Sequence, residues 1–288
     1  MLSPMTRTDR QLTRPACDKA LLSDWDAQVG AAGPGVRGDF HASPGALALD
    51  CTGRVATKFV AGQAGIVLVP DPASLGALPE RGWEHLLATQ RARAAALGLP
   101  LDWELDERFP DRLPNRLAAA GFRERRPVTV LLGSAGHAAA GRGDDLPPGI
   151  RVQADSTDYA AVRDLARTVR GGDWSWLPDA LAHWVRDDRA PCTVVTARTP
   201  RGRLVAAAWV RFHPGTPFAS LWGGATAPAW RGRGLYRALV RLRAALAADR
   251  GHRLLYTEAM GSSRPVLCRG GFGPVRVLVP YRYCPPGR

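Results

Sequence analysis

One stretch constrains this chain more than any other: Ala227-Pro-Ala-Trp-Arg-Gly-Arg-Gly-Leu-Tyr-Arg237. It follows an apolar run, Phe218-Ala-Ser-Leu-Trp222, and opens a long helical pattern. A strand that passes through Arg-Gly-Arg-Gly into a helix start presents a cluster of outward-pointing backbone N–H groups. Glycine lets the main chain approach a ligand, and the positive end of the helix dipole faces the same way. That geometry suits a pyrophosphate.

Two familiar phosphate loops are excluded. A dinucleotide fold wants G-x-G-x-x-G; Gly232 and Gly234 fit, but the third position is Arg237. A P-loop needs G-x-x-x-x-G-K-[ST], and Lys19 and Lys58 are the only lysines in the chain. An RGG-type RNA contact belongs in disordered tracts, whereas this one lies between a strand and an amphipathic helix.

The helix is expected over about 233–250, because Leu235, Leu239, Leu242 and Leu246 fall on one face and Gly251 ends it. Upstream, strands are expected at 150–153, 193–199, 204–212 and 218–226, with helices over about 157–169 and 178–186. Downstream come the strand Leu254-Leu-Tyr-Thr-Glu258, a short helix over about 263–269, Gly271-Phe272 and a strand over 275–281. An earlier block ends in the same way: strand Leu101-Asp-Trp-Glu-Leu105, helix over about 111–120, Gly121-Phe122, strand over 127–132. We read this as a weak internal duplication, with chance likeness of two α/β units as the alternative. The expected division is a first domain at 16–132, a linker at 133–149 rich in Gly, Ala and Pro, and a second domain at 150–284.

The formal charge is +13, carried almost wholly by arginine. The arginines are dispersed rather than bunched, which favours coding bias plus a phosphate-bearing cofactor over nucleic acid. No apolar run approaches the ~20 residues that span a bilayer, and the first thirty residues lack the apolar block of a secretion signal. No membrane association and a cytoplasmic location are expected. The five cysteines are scattered without C-x-x-C spacing, so neither a metal site nor a disulfide framework is indicated.

The second block resembles the GNAT superfamily of N-acetyltransferases. The motif [QR]-x-x-G-x-[GA] lies between a strand and a helix, and Pro228, Arg231, Gly234 and Tyr236 occupy its positions, with Tyr236 replacing the usual small residue. Gly271-Phe272 after a short helix is the second hallmark. The resemblance implies an α/β fold of two tandem GNAT-like domains, each a mixed, mostly antiparallel sheet flanked by helices. The first block, with no R-x-x-G-x-G before its long helix, looks like a degenerate copy. It is expected to pack as a pseudo-dimer partner and to wall the acceptor pocket, or else to be purely structural. A monomer with pseudo-dimeric halves and a homodimer both remain open.

The resemblance further implies an acyl-CoA-dependent N-acyltransferase, with acetyl-CoA or another acyl-CoA as donor and an amine as acceptor. The backbone of Gly224, Ala225 and Thr226 would hold the pantetheine arm and polarise the thioester carbonyl. The amides of Arg231, Gly232, Arg233, Gly234, Leu235 and Tyr236 would hold the pyrophosphate. The Arg231 and Arg233 side chains would add charge-assisted bonds, or project into solvent.

Glu258 is the candidate base; the alternative is a solvent-facing strand-end glutamate. Asp173, Trp174 and Trp176, with Trp222 nearby, would clamp a cationic, partly apolar amine, or simply pack against the first block. Ser263 would touch the cofactor, or cap the helix that follows it. The family commonly carries a tyrosine that protonates the CoA thiolate; here that position is Leu267. A small-molecule amine is the leading acceptor. A protein N-acetyltransferase and a catalytically weak acyl-CoA-binding or regulatory module are the alternatives.

Overall fold

The structure, a computed structural model, describes residues 19–28, 46–52, 54–60, 64–69, 71–141, 146–188 and 191–286. The first half contributes α1 (Lys19–Gln28), β1 (Ala46–Thr52), β2 (Val55–Val60), β3 (Gly65–Leu68), a 3-10 turn (Pro72–Ala77), α2 (Glu80–Leu97), β4 (Leu101–Leu105), α3 (Leu113–Ala119), β5 (Arg123–Glu124), β6 (Val128–Ser134) and α4 (Ala135–Ala139). The second half contributes β7 (Arg151–Gln153), α5 (Tyr159–Arg170), α6 (Leu177–Arg186), β8 (Cys192–Arg198), β9 (Leu204–Phe212), β10 (Phe218–Thr226), a 3-10 turn (Pro228–Trp230), α7 (Leu235–Asp249), β11 (Leu254–Ala259), α8 (Arg264–Arg269) and β12 (Gly273–Tyr283).

These strands make one sheet, in the order β1-β2-β3-β4-β12-β6-β11-β10-β9-β8-β7, with β5 also on β12. The mixed sheet flanked by helices that the resemblance implies is present, and the strands of the two halves join in it. The halves exchange strands. β6, the last strand of the first half, lies between β11 and β12 of the second half, antiparallel to both. The end of β12, Val279–Tyr283, lies between β4 and β5. Backbone N–H and C=O groups need ladder partners, and each half finds its missing strand in the other.

The stretch expected as linker at 133–149 is corrected in part. Gly133 and Ser134 still belong to β6, and α4 follows at once, its Ser134 cap accepting from His137 N. Ala135 and Ala138 are buried against Val240, Ala244 and Ala247 of α7. The Ala- and Gly-rich composition that suggests a linker instead lets two helices approach closely.

The two parallel ladders of the sheet correspond. β3 meets β4 over Gly65↔Leu101 to Val67↔Trp103, and β10 meets β11 over Phe218↔Leu254 to Ser220↔Tyr256. Apolar residues alternate as a pleat requires. Leu101, Trp103 and Leu105 join the core under α2 and α3, so Asp102 and Glu104 fall on the other face. Likewise Leu255 and Ala259 join the core under α7, whereas Tyr256 faces a cluster with Trp25 of α1, Val130 and Phe218. Arg276 ties β12 to α1 through a two-pronged ion pair with Asp26 (2.8 Å for Nη2–Oδ2). No helix among the described residues is long and apolar enough to cross a membrane.

Candidate functional site

β10 and β11 part after Ser220 and Tyr256. β10 continues to Thr226, held on its other edge by β9, with a bulge between Trp222 and Ala225. An extra residue in one strand bends it and sharpens its twist. Gly223 lies in the bulge at φ +68°, the left-handed region that favours glycine. The result is a gap with the free edge of β10 on one side and β11 and the start of α8 on the other. Thr257 Oγ1 donates to Leu221 O at 2.8 Å across its closed end.

The open end of the gap is the glycine loop. Gly232 (φ +74°) and Gly234 (φ +80°) both take the left-handed conformation, and a Cβ on Gly232 would meet nothing within 4 Å. Gly234 caps α7 without a side-chain hydrogen bond. Gly234 thus offers no side chain to the first amides of α7, and the dipole adds positive potential at the same point. Leu235 is 1% exposed, so only its backbone is available to a ligand. Thr226 Oγ1 is buried and has no hydrogen-bond partner among the described residues. Arg231 Nε reaches Thr226 O at 3.3 Å, and the Arg233 guanidinium lies 5.1 Å from the Trp230 ring centre. Both arginines thus have contacts within the protein while remaining exposed.

The corresponding loop of the first half is built differently. Asp71 accepts from Ala73 N at 3.1 Å, α2 is capped by Pro79, and its first turn carries Glu80, paired with Arg116. A carboxylate at a helix N-terminus competes with any phosphate.

Glu258 lies on β11 beside the gap, opposite Val130 of β6. Burial pushes its carboxyl well above the usual carboxylate range, because removing charge from water favours the neutral form. Glu104 of β4 is raised in the same way, first by burial and then by the nearby charges of Glu258 and Asp102, against the opposing pull of Arg282. Arg282 is itself paired with Asp102 at 2.5–2.7 Å. Sequence reasoning missed Glu104, although it stands in the strand that mirrors the one ending at Glu258.

The acceptor candidates have partners of their own. Asp173 Oδ1 accepts from Ser175 N at 2.8 Å and Oδ2 from Ser175 Oγ at 3.1 Å, closing a turn before α6. Trp174 Nε1 donates to Gly171 O at 2.7 Å, and Trp174 and Trp176 lie 5.7 Å apart, centre to centre. The cation over Trp174 is Arg170, at 5.5 Å, and its guanidinium also donates to Gly224 O at 3.0 Å. Trp222 Nε1 donates to Ser220 Oγ (2.7 Å), and the same oxygen lies within hydrogen-bond distance of His213 Nε2 at 2.8 Å. Burial, helped by Arg211, pushes His213 down to about 3, so this ring stays neutral.

Two further residues complete the bulge. Arg243 of α7 is 2% exposed, and its guanidinium donates to Leu239 O, Trp209 O and Trp222 O at 3.0–3.3 Å. Burial pulls its pKa down to about 10, leaving it charged at neutral pH. A charged residue within the apolar stripe between Leu239 and Leu246 was the signal available in the sequence. Tyr236 packs against the cluster containing Leu221, Ala259 and Leu267, and burial pushes its phenol up, against the pull of Arg243 and Arg170. Ser263 stands at the cap position of α8 without capping it; its Oγ donates to Met260 O at 3.1 Å.

Residues 159–266 match the model of the acetyltransferase (GNAT) family. Among solved structures, a tandem GNAT protein from the clavulanic acid biosynthesis pathway is 18% identical with a TM-score of 0.61, over 94% of this chain and 96% of that one. A GCN5-related N-acetyltransferase from Kribbella flavida is 16% identical with a TM-score of 0.61, over 88% and 93%. One from Sphaerobacter thermophilus is 14% identical with a TM-score of 0.57, over 82% and 78%. At these identities the likeness is one of fold. No curated protein matches the chain in sequence.

Proposed function

We infer that this chain, whose residues 159–266 belong to the acetyltransferase (GNAT) family, is an acyl-CoA-dependent N-acyltransferase acting on a small-molecule amine. One observation carries the reading: a helix start without a side-chain cap and with two left-handed glycines, at the mouth of a gap between parted parallel strands. Diphosphate and an extended polar arm fit those two features in turn. The orphaned Thr226 hydroxyl suits the same arm. Acetyl-CoA, as donor, would supply an activated acyl group on a good leaving group.

In this reading the amides of residues 231–236 grip the diphosphate, with Arg231 and Arg233 at the rim. Gly224, Ala225 and Thr226 offer main-chain hydrogen bonds along the arm, and Ser263 faces it from the opposite wall. Glu258 takes a proton from the acceptor amine; a carboxyl raised toward neutrality holds a proton more firmly than an ordinary one. Trp174, Trp176 and Trp222 form the aromatic side of the acceptor pocket, with Asp173 shaping its loop. The first domain, 16–132, walls the pocket through Glu104; residues 150–284 carry the donor site.

Incubation with acetyl-CoA and a panel of small amines, following free thiol, tests this. Turnover with any of them supports the assignment. Acetylation of protein amines alone would move it to protein substrates, and tight CoA binding without turnover would make the chain an acyl-CoA-binding module.

A further inference from the structure

We propose that Trp25 of α1 selects the amine, its indole N–H donating to a neutral oxygen of a substrate whose cationic group lies beside Glu258 and Glu104. The proposal rests on the N-acyltransferase reading above and narrows it. The amine carries a hydroxyl or an amide oxygen and no carboxylate.

The faces of the sheet place Trp25 at the site. Val130 is paired directly with Glu258, and directly opposed residues share a face. Val130 belongs to the apolar cluster that Trp25 joins, as does Tyr256, two residues before Glu258 on β11. Leu278 of β12 is in it too, and Glu104 is paired with Pro280, two residues further along β12. Side chains two apart on a strand point the same way, so α1 covers the face from which both glutamates project. Trp25 and Tyr256 are buried, whereas Glu104, Glu258 and Trp222 are half-buried. The cover thus ends where the carboxyls begin, beside the gap between β10 and β11. Trp222 packs on this cluster and also on the one that holds Trp174 and Trp176. The aromatic side of the pocket therefore continues onto α1.

The indole is fixed before any substrate arrives. Its ring meets Tyr256 edge-on at 5.8 Å, and the Arg276 guanidinium lies 5.7 Å from its centre. The next residue, Asp26, pairs with Arg276 at 2.8 Å and with Arg108 at 3.2 Å.

An unmatched donor points to the ligand. Trp25 is 6% exposed, and its Nε1 is buried without a hydrogen-bond partner among the described residues. An indole N–H can only donate, and a buried donor left unpaired is costly. An oxygen on the substrate satisfies it, and charge decides which oxygen. A cation beside Glu258 and Glu104 favours their ionised forms, whereas a substrate carboxylate brings one more like charge to that face. A hydroxyl or amide oxygen accepts the hydrogen bond without that penalty.

Three amines that differ at one group test this with acetyl-CoA as donor: leucinol, leucine, and the amine that has a methyl in place of the leucinol hydroxymethyl. Leucinol is expected to exceed each of the others in kcat/KM by about tenfold or more. Trp25→Phe keeps an aromatic ring and removes the N–H. It should bring leucinol down to the level of the methyl analogue, while the rate with that analogue and calorimetric CoA affinity hold. A purely structural Trp25 would lower Tm without changing this ratio. An activity-free readout is the indole N–H resonance of Trp25, identified as the one missing from Trp25→Phe. It should move when leucinol is added to the CoA-bound protein and stay when the methyl analogue is added.

Leucinol no better than either of the other two amines in the wild type would overturn the proposal, whether or not the variant folds. So would a preference for leucinol that survives in Trp25→Phe. Turnover of other amines would in either case leave the acyltransferase reading standing. A wild type that binds CoA yet acylates no amine would remove both.

Discussion

The Trp209 ring fills the space that a side chain on Gly223 would need: a Cβ built there would lie 1.8 Å from Trp209 Cζ3. Gly224 makes the same allowance for Tyr236. Two adjacent glycines therefore let β10 bulge while an aromatic ring closes over each. Gly223→Ala adds a methyl into Trp209 and forces L-residue geometry at φ +68°. It should cost about 3 kcal/mol from strain and overpacking together, read as a fall in Tm and denaturant midpoint. A wild-type midpoint would mean that the bulge is not held as described.

Gly234→Val tests the loop. Gly234 sits at φ +80° as the cap of α7, and a β-branched residue is a steric outlier there. The amides behind it should turn away from their common focus. Calorimetric affinity for CoA should drop at least about tenfold, equivalent to about 1.4 kcal/mol, with the circular dichroism of the fold preserved. Unaltered affinity would remove the diphosphate site from this loop.

Arg243→Met removes a buried cation of similar length. Trp209 O and Trp222 O lose their donor at the bulge. Three charge-assisted bonds, counting that to Leu239 O, set against the relieved cost of burying charge leave a net loss of about 2 kcal/mol. Because Trp222 O borders the bulge, CoA affinity should weaken as well. Weakened stability with unchanged affinity would separate the core role from the site role.

Glu258→Gln should lower kcat about 100-fold if the carboxylate is the base. Its effect on stability has a defined sign. The folded state holds the Glu258 proton more tightly than the unfolded state does, so stability is greatest below the ordinary carboxylate range. It declines as pH climbs from there toward neutrality. Glutamine has nothing to ionise. The variant should match the wild type in Tm at about pH 4 and exceed it at about pH 8. It should also let Glu104 ionise at lower pH, since a like charge beside it is gone, which carboxyl-resolved NMR can follow. A rate indifferent to the change would take the base assignment from Glu258.

Much of this architecture is written locally and was legible. The elements at 101–105, 204–212 and 218–226 coincide with their expected bounds, and α7 starts where the glycine loop releases it. Periodicity and turn residues fix such elements within one window of sequence. Which strand lies beside which is a long-range fact. Val130 faces Glu258 on one side and Arg276 on the other, and no periodicity in 128–134 distinguishes that from pairing within the first half. The site divides in the same way. The glycine loop is contiguous, so it could be read. The bulge cannot: it needs Trp209 on β9, Tyr236 and Arg243 on α7, and Arg170 on α5, residues brought together only by folding. Asp173 reads in sequence as a carboxylate for a cationic acceptor, yet in the fold its oxygens accept from the backbone and hydroxyl of Ser175.

The strand exchange also sets an order for synthesis. While a nascent chain emerges from the ribosome, β4 has no neighbour on the β12 side until residues 279–283 have been made. β6, completed much earlier, must wait for both β11 and β12. Translation therefore carries two strands with unpaired edges at once, each a template for wrong association between chains. Both close in the same late event, so neither half reaches its native sheet before the other.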